Sequence, residues 1–263
     1  WIGTSIEKLN ELGYTHDIDG KILTNPDQIV ELRMQDVIIP NESGRYLVSI
    51  CNYIDTILDK FQDHSILAEE SGSNSKGSKY MWLIDPLDGT TNFVHGYPSY
   101  GISIACSIDN IISIAVVKDI VNNDLYTSII NKGAFKNGNL INISKTKTLI
   151  DSLLVTGFGY NHDVNWELNM KLFKHFTDNT QGVRRLGAAS IDLCHLAAGI
   201  VDGFWEYDLK PWDTAAGKLI VEEAGGKITK LNGDKFNIYQ NQILASNKII
   251  HKDLVLDISS IIT

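Results

Sequence analysis

The run "WLIDPLDGTTNF", residues 82–93, decides how this chain is read. An apolar, strand-like stretch ends at Asp85, Pro86 follows, a second aspartate stands at Asp88, and Gly-Thr-Thr comes directly after it. Proline fixes the backbone between the two acids, so both carboxylates and the Leu87 carbonyl can face one point. Gly89 lets the chain turn, and residues 90–93 can open a helix whose free N–H groups aim at the same place. Carboxylates at the ends of buried strands cost free energy unless something cationic offsets them. A set of oxygen ligands with no histidine or cysteine nearby suits a hard cation, Mg²⁺ above all. A helix N-terminus beside a divalent cation is a phosphate site.

Outward from this run the pattern is that of an α/β layered protein. "SILAEE" (65–70) and "YMWLID" (80–85) read as buried strands that end in acids, Glu69 and Glu70 in the first, with an exposed Gly/Ser-rich loop at 71–79 between them. Strands at 100–108, 111–119 and 124–130 follow, and "KNGN" (136–139) gives a type I′ hairpin signal before "LINIS", which makes an antiparallel meander. The second half alternates. Strands are read at 153–159, 202–208, 227–231 and 242–246, helices at 165–176, 188–199 and 212–226, and a short helix closes the chain. Asp213 opens the 212–226 helix, where the positive helix end offsets part of its charge. Any one of these acids alone reads equally as a cap or a solvated loop residue, whereas the cluster does not. Nearer the N-terminus, 27–39 reads as a short helix running into an extended piece and 46–61 as a helix.

Composition narrows the class. With 263 residues, 43% hydrophobic and 21% charged, the chain can bury a large core, and it divides into a segment 1–63, a half 64–145 with the acid motif, and a half 146–263. A net charge of −9 offers no basic stripe for nucleic acid, so none is expected as partner. Cys51, Cys106 and Cys194 form no CxxC pattern and read as free thiols in a reducing compartment, which gives a cytoplasmic expectation. No apolar run reaches the length of a membrane span, and no signal peptide is read.

"AEES", "WLIDPLDGTTNFVHGYPSYGISIA" and "LKPWDTAAGKLIVEEAGG" closely resemble the inositol monophosphatase family, the lithium-sensitive, Mg²⁺-dependent phosphomonoesterases. The likeness covers residues 54–256, and "GVRRLGAASIDLCHLAAGIVDGFWEYDLKPWD" looks most like bacterial members. The resemblance implies an alternating αβαβα sandwich of the inositol monophosphatase and fructose-1,6-bisphosphatase type, usually a homodimer, with two or three Mg²⁺ per site. It assigns Glu69, Asp85 and the Leu87 carbonyl to a first metal, and Asp85, Asp88 and Asp213 to a second. Gly89 and Thr90 would meet the phosphate, and Thr90 with Glu69 would position the attacking water. Glu206, Asp88 and Ala189 would contact hydroxyls of the substrate alcohol, beside a turn at Gly187 and Ala188. Metals that activate water and clamp phosphoryl oxygens lighten the demand for side-chain acid–base chemistry. His95 and His195 are therefore read as structural or surface residues. The Arg184-Arg185 pair reads equally as substrate-side, dimer-side or plain surface.

One departure stands out. The family carries a Thr followed three residues later by an Asp ahead of the "AEES" strand. Extension back from Phe61 without gaps places Ser43 and Tyr46 there, so the acid is missing unless Asp36 supplies it. The leading expectation is a phosphatase of a small polyol or sugar phosphate, inositol 1-phosphate first. Fructose 1,6-bisphosphate or the 2′-phosphate of NADP could use the same site, and a regulatory or scaffold role on this fold is the competing class.

Overall fold

The computed structural model of the chain describes residues 38–40, 46–48, 50–69 and 72–262. A short antiparallel pair, β1 (Ile38–Pro40) and β2 (Tyr46–Val48), precedes helix α1 (Ile50–Lys60). The helix expected over 46–61 therefore starts four residues later, after a strand. Of the piece expected at 27–39, only its extended end is described; the helical part, Asp36, Ser43 and Glu70 lie outside the described residues.

The main sheet has eight strands in the order β10-β9-β8-β7-β6-β5-β3-β4. Strand β3 (Ser65–Ala68) runs parallel to β5 (Tyr80–Asp88), and the stretch read as a loop adds the exposed edge strand β4 (Gly72–Asn74). From β5 the chain meanders through β6 (Gly101–Ile108), β7 (Ile111–Asp119), β8 (Asp124–Ile129), β9 (Ala134–Lys136) and β10 (Asn139–Ile141), antiparallel throughout. The β9–β10 turn puts Asn137 and Gly138 at φ 51° and 77°, both positive, as a type I′ hairpin requires.

Five strands make a second sheet, β12-β11-β13-β15-β14. Here β11 (Leu153–Thr156) runs parallel to β12 (Gly182–Arg184) and β13 (Gly203–Tyr207), while β15 (Gln242–Ser246) is antiparallel to β13 and β14 (Lys227–Thr229). Helices α4 (Ala189–Ala197) and α5 (Pro211–Glu223) pack on each other and on both sheets, forming the middle layer. Helix α1 covers the outer face of the large sheet, and α3 (Val164–Asn179) and α6 (His251–Ile262) cover the outer face of the small one. The order of layers is αβαβα, as the resemblance implied. Among the described residues no helix is long and apolar enough to cross a membrane.

Strands buried on both faces explain the near-continuous apolar runs, and the period of two sorts their side chains. Trp82 and Ile84 of β5, Ile102, Ile104 and Cys106 of β6, and Ile114 and Val116 of β7 face α1. Leu83, Ala105, Ala115 and Val117 face the middle helices. On β6 and β7 the inner side chains Ala105, Ala115 and Val117 are small, which lets α4 and α5 come close there. A Cβ on Gly101 would meet the Lys118 carbonyl at 2.5 Å and Ile191 of α4 at 2.7 Å. Where the two middle helices cross, a Cβ on Gly217 would stand 2.6 Å from Cβ of Leu193 and 2.5 Å from its Cδ1.

That crossing sets two effects against each other. Alanine is favoured over glycine in a helix by about 1 kcal/mol, while overpacking a close contact costs about 1–3 kcal/mol. Because Leu193 is caught at its Cβ and not only at its flexible tip, overpacking should win. Gly217→Ala is expected to lower Tm in a thermal melt, and an unchanged or higher Tm would show that the layer relaxes freely.

Candidate active site

Two aspartates three residues apart point to opposite faces of a regular strand. The β5–β6 register overcomes this: Asp85 pairs with Ser103 and Asp88 with Gly101, so three steps on β5 match two on β6. The extra residue is a bulge at Pro86-Leu87, a place where proline's missing N–H does no harm. Both carboxylates consequently face the middle helices. Asp85, 2% exposed, accepts a hydrogen bond at Oδ1 from the Leu87 N–H (2.9 Å). Asp88, 8% exposed, accepts at Oδ2 from the backbone N–H (2.7 Å) and hydroxyl (2.6 Å) of Ser190, in the first turn of α4.

Gly89 then turns the chain into helix α2 (Thr90–His95). Its φ is 85°, and a Cβ there would meet the Ser99 carbonyl at 2.8 Å, so glycine is required twice over. The Thr90 hydroxyl donates to the Leu87 carbonyl (3.0 Å). Asn92 staples the region together, donating from Nδ2 to the carbonyls of Ser99 and Leu186, both at 2.7 Å.

The remaining acids arrive from elsewhere in the fold. The parallel register of Ala68 with Ile84 brings Glu69, exposed, beside Asp85. Asp213 is the third residue of α5, after Pro211 in the first helical position, and its Oδ2 accepts from the Lys210 N–H (2.6 Å). Glu206, 8% exposed, comes from β13 of the small sheet. One cavity of about 430 Å³ is lined by Glu69, Asp85, Leu87, Asp88, Gly89, Thr90, Gly187, Ala189, Glu206 and Asp213. Ala188 is buried behind that wall and does not line it. Neither His95 nor His195 lines the cavity, whereas Arg185 does. Of Tyr46 only the backbone is described, in β2.

The cavity holds an excess of negative charge. Burial, then the charges of Asp88, Glu69 and Asp213, push the Asp85 carboxyl well above the ordinary carboxylate range. Burial raises Asp88 to about 6 against the pull of its Ser190 donors, and burial with Asp88 raises Asp213 to about 7. Glu206 is raised by burial and then by Asp192, Asp213 and Asp88, with Arg185 opposing. Among the described residues no three His, Cys, Asp or Glu side chains converge as a ready-made cation cage. The carboxylates turn instead to Leu87, Ser190 and Lys210. The fit to a hard cation therefore rests on donor chemistry and on uncompensated charge: carboxylates and one backbone carbonyl, crowded and desolvated.

Several lining residues carry no sequence signal of their own. Tyr97 joins the wall from one loop and Phe158 and Tyr160 from another; Arg185, of the pair left open in the sequence, enters on the cavity side and lies over the Phe158 ring at 5.6 Å. Ser190 and Asn92 stood in motifs already singled out, but their partners are long-range. Asp192 was missed entirely: it is fully buried in α4, and among the described residues neither carboxylate oxygen has a hydrogen-bond partner. Burial and the charge of Asp88 hold its carboxyl well above the ordinary carboxylate range.

A five-layer αβαβα fold with a crowded carboxylate cavity at a bulged strand end and a Gly-Thr turn beside it defines the class of inositol-monophosphatase-like phosphatases. Residues 48–263 match the model of the inositol monophosphatase family, and the chain belongs to that family. It is 47% identical over 209 residues to a protein of Arabidopsis thaliana named phosphatase IMPL1, chloroplastic, covering 77% of this chain and 56% of that one. It is 40% identical over 203 residues to the Nus factor SuhB of Pseudomonas aeruginosa, 75% of each. The solved inositol monophosphatase of Anabaena (Nostoc) sp. superposes with a TM-score of 0.77 at 41% identity, over 81% of this chain and 85% of that one. Residues 1–71 also match the model of the DNA polymerase II large subunit DP2 catalytic domain, well under half of the chain, which assigns no membership.

Acids raised in the folded state bind protons that the unfolded chain has already released. Their stabilising contribution is complete below the ordinary carboxylate range and is lost as pH rises through about 6 for Asp88 and about 7 for Asp213. In chelator, Tm should fall by about 5 °C or more between pH 4.5 and 7.5. Asp213→Asn should flatten that fall, and Mg²⁺ at pH 7.5 should reverse it. A Tm that stays level or rises across the interval in chelator would contradict this account of the charge.

Proposed function

We propose that this chain is a Mg²⁺-dependent phosphatase of a small polyol or sugar phosphate monoester, inositol 1-phosphate first, acting as a cytoplasmic homodimer. The observation that carries the reading is the bulge, which turns Asp85 and Asp88 to one face opposite Asp213, with the Gly89-Thr90 turn in the same cavity. Glu69, Asp85 and the Leu87 carbonyl would hold one cation and Asp85, Asp88 and Asp213 another. When bound, the cations would offset the charge of the phosphoryl oxygens and make a nearby water more acidic. The chain's own residues do the rest. Because the Thr90 proton is committed to the Leu87 carbonyl, the Thr90 oxygen offers only lone pairs to a water. The exposed Glu69 carboxylate can accept that water's other proton. Backbone N–H groups of Gly89 and Thr90 face the phosphoryl oxygens, and Glu206, Asp88 and the Ala189 wall face the alcohol. A third cation would depend on the N-terminal segment, where the gap-free alignment puts Tyr46 in the place of an acid.

The same cavity could serve fructose 1,6-bisphosphate or the 2′-phosphate of NADP, since choice among small esters lies in the alcohol-side wall. A second reading, a regulatory or scaffold protein with a macromolecular partner, is favoured by the 40% identity to a protein named Nus factor SuhB. Phosphate release from a panel of phosphomonoesters, with Mg²⁺ and with chelator, decides between them. Release from polyol esters that stops in chelator is expected. No release from any ester, with stoichiometric capture of a macromolecular partner, would favour the second reading.

Asp88→Asn keeps the side-chain volume and removes one charge from the second cation site. Turnover should fall by roughly a hundredfold or more, as expected when cation-based charge stabilisation worth several kcal/mol is lost. More than a tenth of wild-type turnover at saturating Mg²⁺ would refute the assignment.

A further inference from the structure

The carboxylate of Glu206 lies flat against the backbone of Gly157, at the end of the neighbouring strand β11. A Cβ at residue 157 would stand 2.1 Å from Oε1, 2.4 Å from Cδ and 2.4 Å from Oε2. The backbone at Gly157 does not adopt positive φ, so only space, and not conformation, demands glycine there. The atoms in the way are the far end of a flexible side chain, so a methyl group would displace the carboxylate and leave the strand in place.

Residue 157 is itself held from behind. Asn169 of α3, 1% exposed, donates from Nδ2 to the Gly157 carbonyl (2.6 Å) and accepts at Oδ1 from the indole N–H of Trp205 (2.6 Å). Trp205 immediately precedes Glu206, and its carbonyl accepts from the Thr156 hydroxyl (2.6 Å), the residue before Gly157. One buried amide thus ties the floor under the carboxylate to the strand that carries it. Two buried hydrogen bonds on one side chain are costly to break, since each leaves a polar group unpaired.

We infer that Gly157, locked by Asn169, is the positioning residue that sets where the Glu206 carboxylate stands in the cavity, and so which polyhydroxylated alcohol the site accepts. The inference rests on the phosphatase reading above, in which Glu206 meets hydroxyls of the leaving alcohol. Gly157 itself lines the cavity, and the part assigned to it here is exerted through Glu206, which is why its substitution is read both with and without the Glu206 side chain. A displacement of the carboxylate by an ångström or so is enough to matter, because hydrogen bonds to hydroxyls are steep in distance and angle.

The test is a double-mutant cycle on the full chain with Gly157→Ala, Glu206→Ala and both together. Activity is read on inositol 1-phosphate and on 4-nitrophenyl phosphate, whose leaving group offers no such hydroxyls. Gly157→Ala should lower the ratio of kcat/KM for the polyol ester to that for the aryl ester by roughly tenfold or more. In the Glu206→Ala background the same change should leave the ratio where it is, because the clash is gone. Thermal melts of the same four proteins give a readout free of activity: Gly157→Ala alone should lower Tm, and beside Glu206→Ala it should not. Equal losses on both esters, or effects that add across the cycle in activity and Tm, would overturn the inference. A wild type inactive on both esters would overturn the phosphatase reading and the specificity role with it. Failure of the inference alone would show as an active wild type with an additive cycle.

Discussion

One extra residue in one strand carries the organisation of this protein. Without the bulge at Pro86-Leu87, the alternation of a strand would send Asp85 and Asp88 to opposite sides of the sheet, one toward α1 and one toward the middle helices. With it, both are turned into the layer between the sheets, where Ser190 of α4 and the start of α5 can reach them. Everything else in the site is arranged around that face.

Concentrating acids there works against stability. Burial first, and neighbouring acid charges after it, raise the pKa values of Asp85, Asp88, Asp213 and Glu206, while backbone or hydroxyl donors to the three aspartates offset part of that cost. The layers tolerate the arrangement because the surrounding packing is close. Small residues on the inner face of the large sheet, and Gly217 at the helix crossing, let α4 and α5 approach near enough to close the cavity. The apolar cores on either side, around Trp82 and around Trp205, carry no acids of the site. Stability and chemistry are therefore divided between layers, with the middle one bearing both.

Local chemistry was readable where its cause is local. The "KNGN" hairpin, the meander from β5 to β8, the Gly89 turn and the helix read from 212, which α5 starts one residue earlier, all follow from residues within a few positions of one another. The β2 strand inside an apparently helical 46–61 was not, because apolar residues at mixed spacing fit either period and the pairing of Tyr46–Val48 with Ile38–Pro40 decides it. The edge strand β4 was likewise hidden, since Gly and Ser have little strand preference and only the exposed rim of β3 recruits them.

By itself the sequence determined the layered α/β class, the acid motif and its likeness to one phosphatase family, because strand period, proline and glycine constraints and carboxylate chemistry are properties of short runs. Tertiary structure alone decided that a bulge against β6 is what gives Asp85 and Asp88 the common face expected of them, that Ala188 stands behind the wall that Ala189 lines, that Arg185 enters the cavity, and that Glu206 rests on Gly157. Each of these depends on register or on contacts between elements far apart in the chain. A one-residue shift in register reverses which way a side chain points, and no local pattern in the sequence records it.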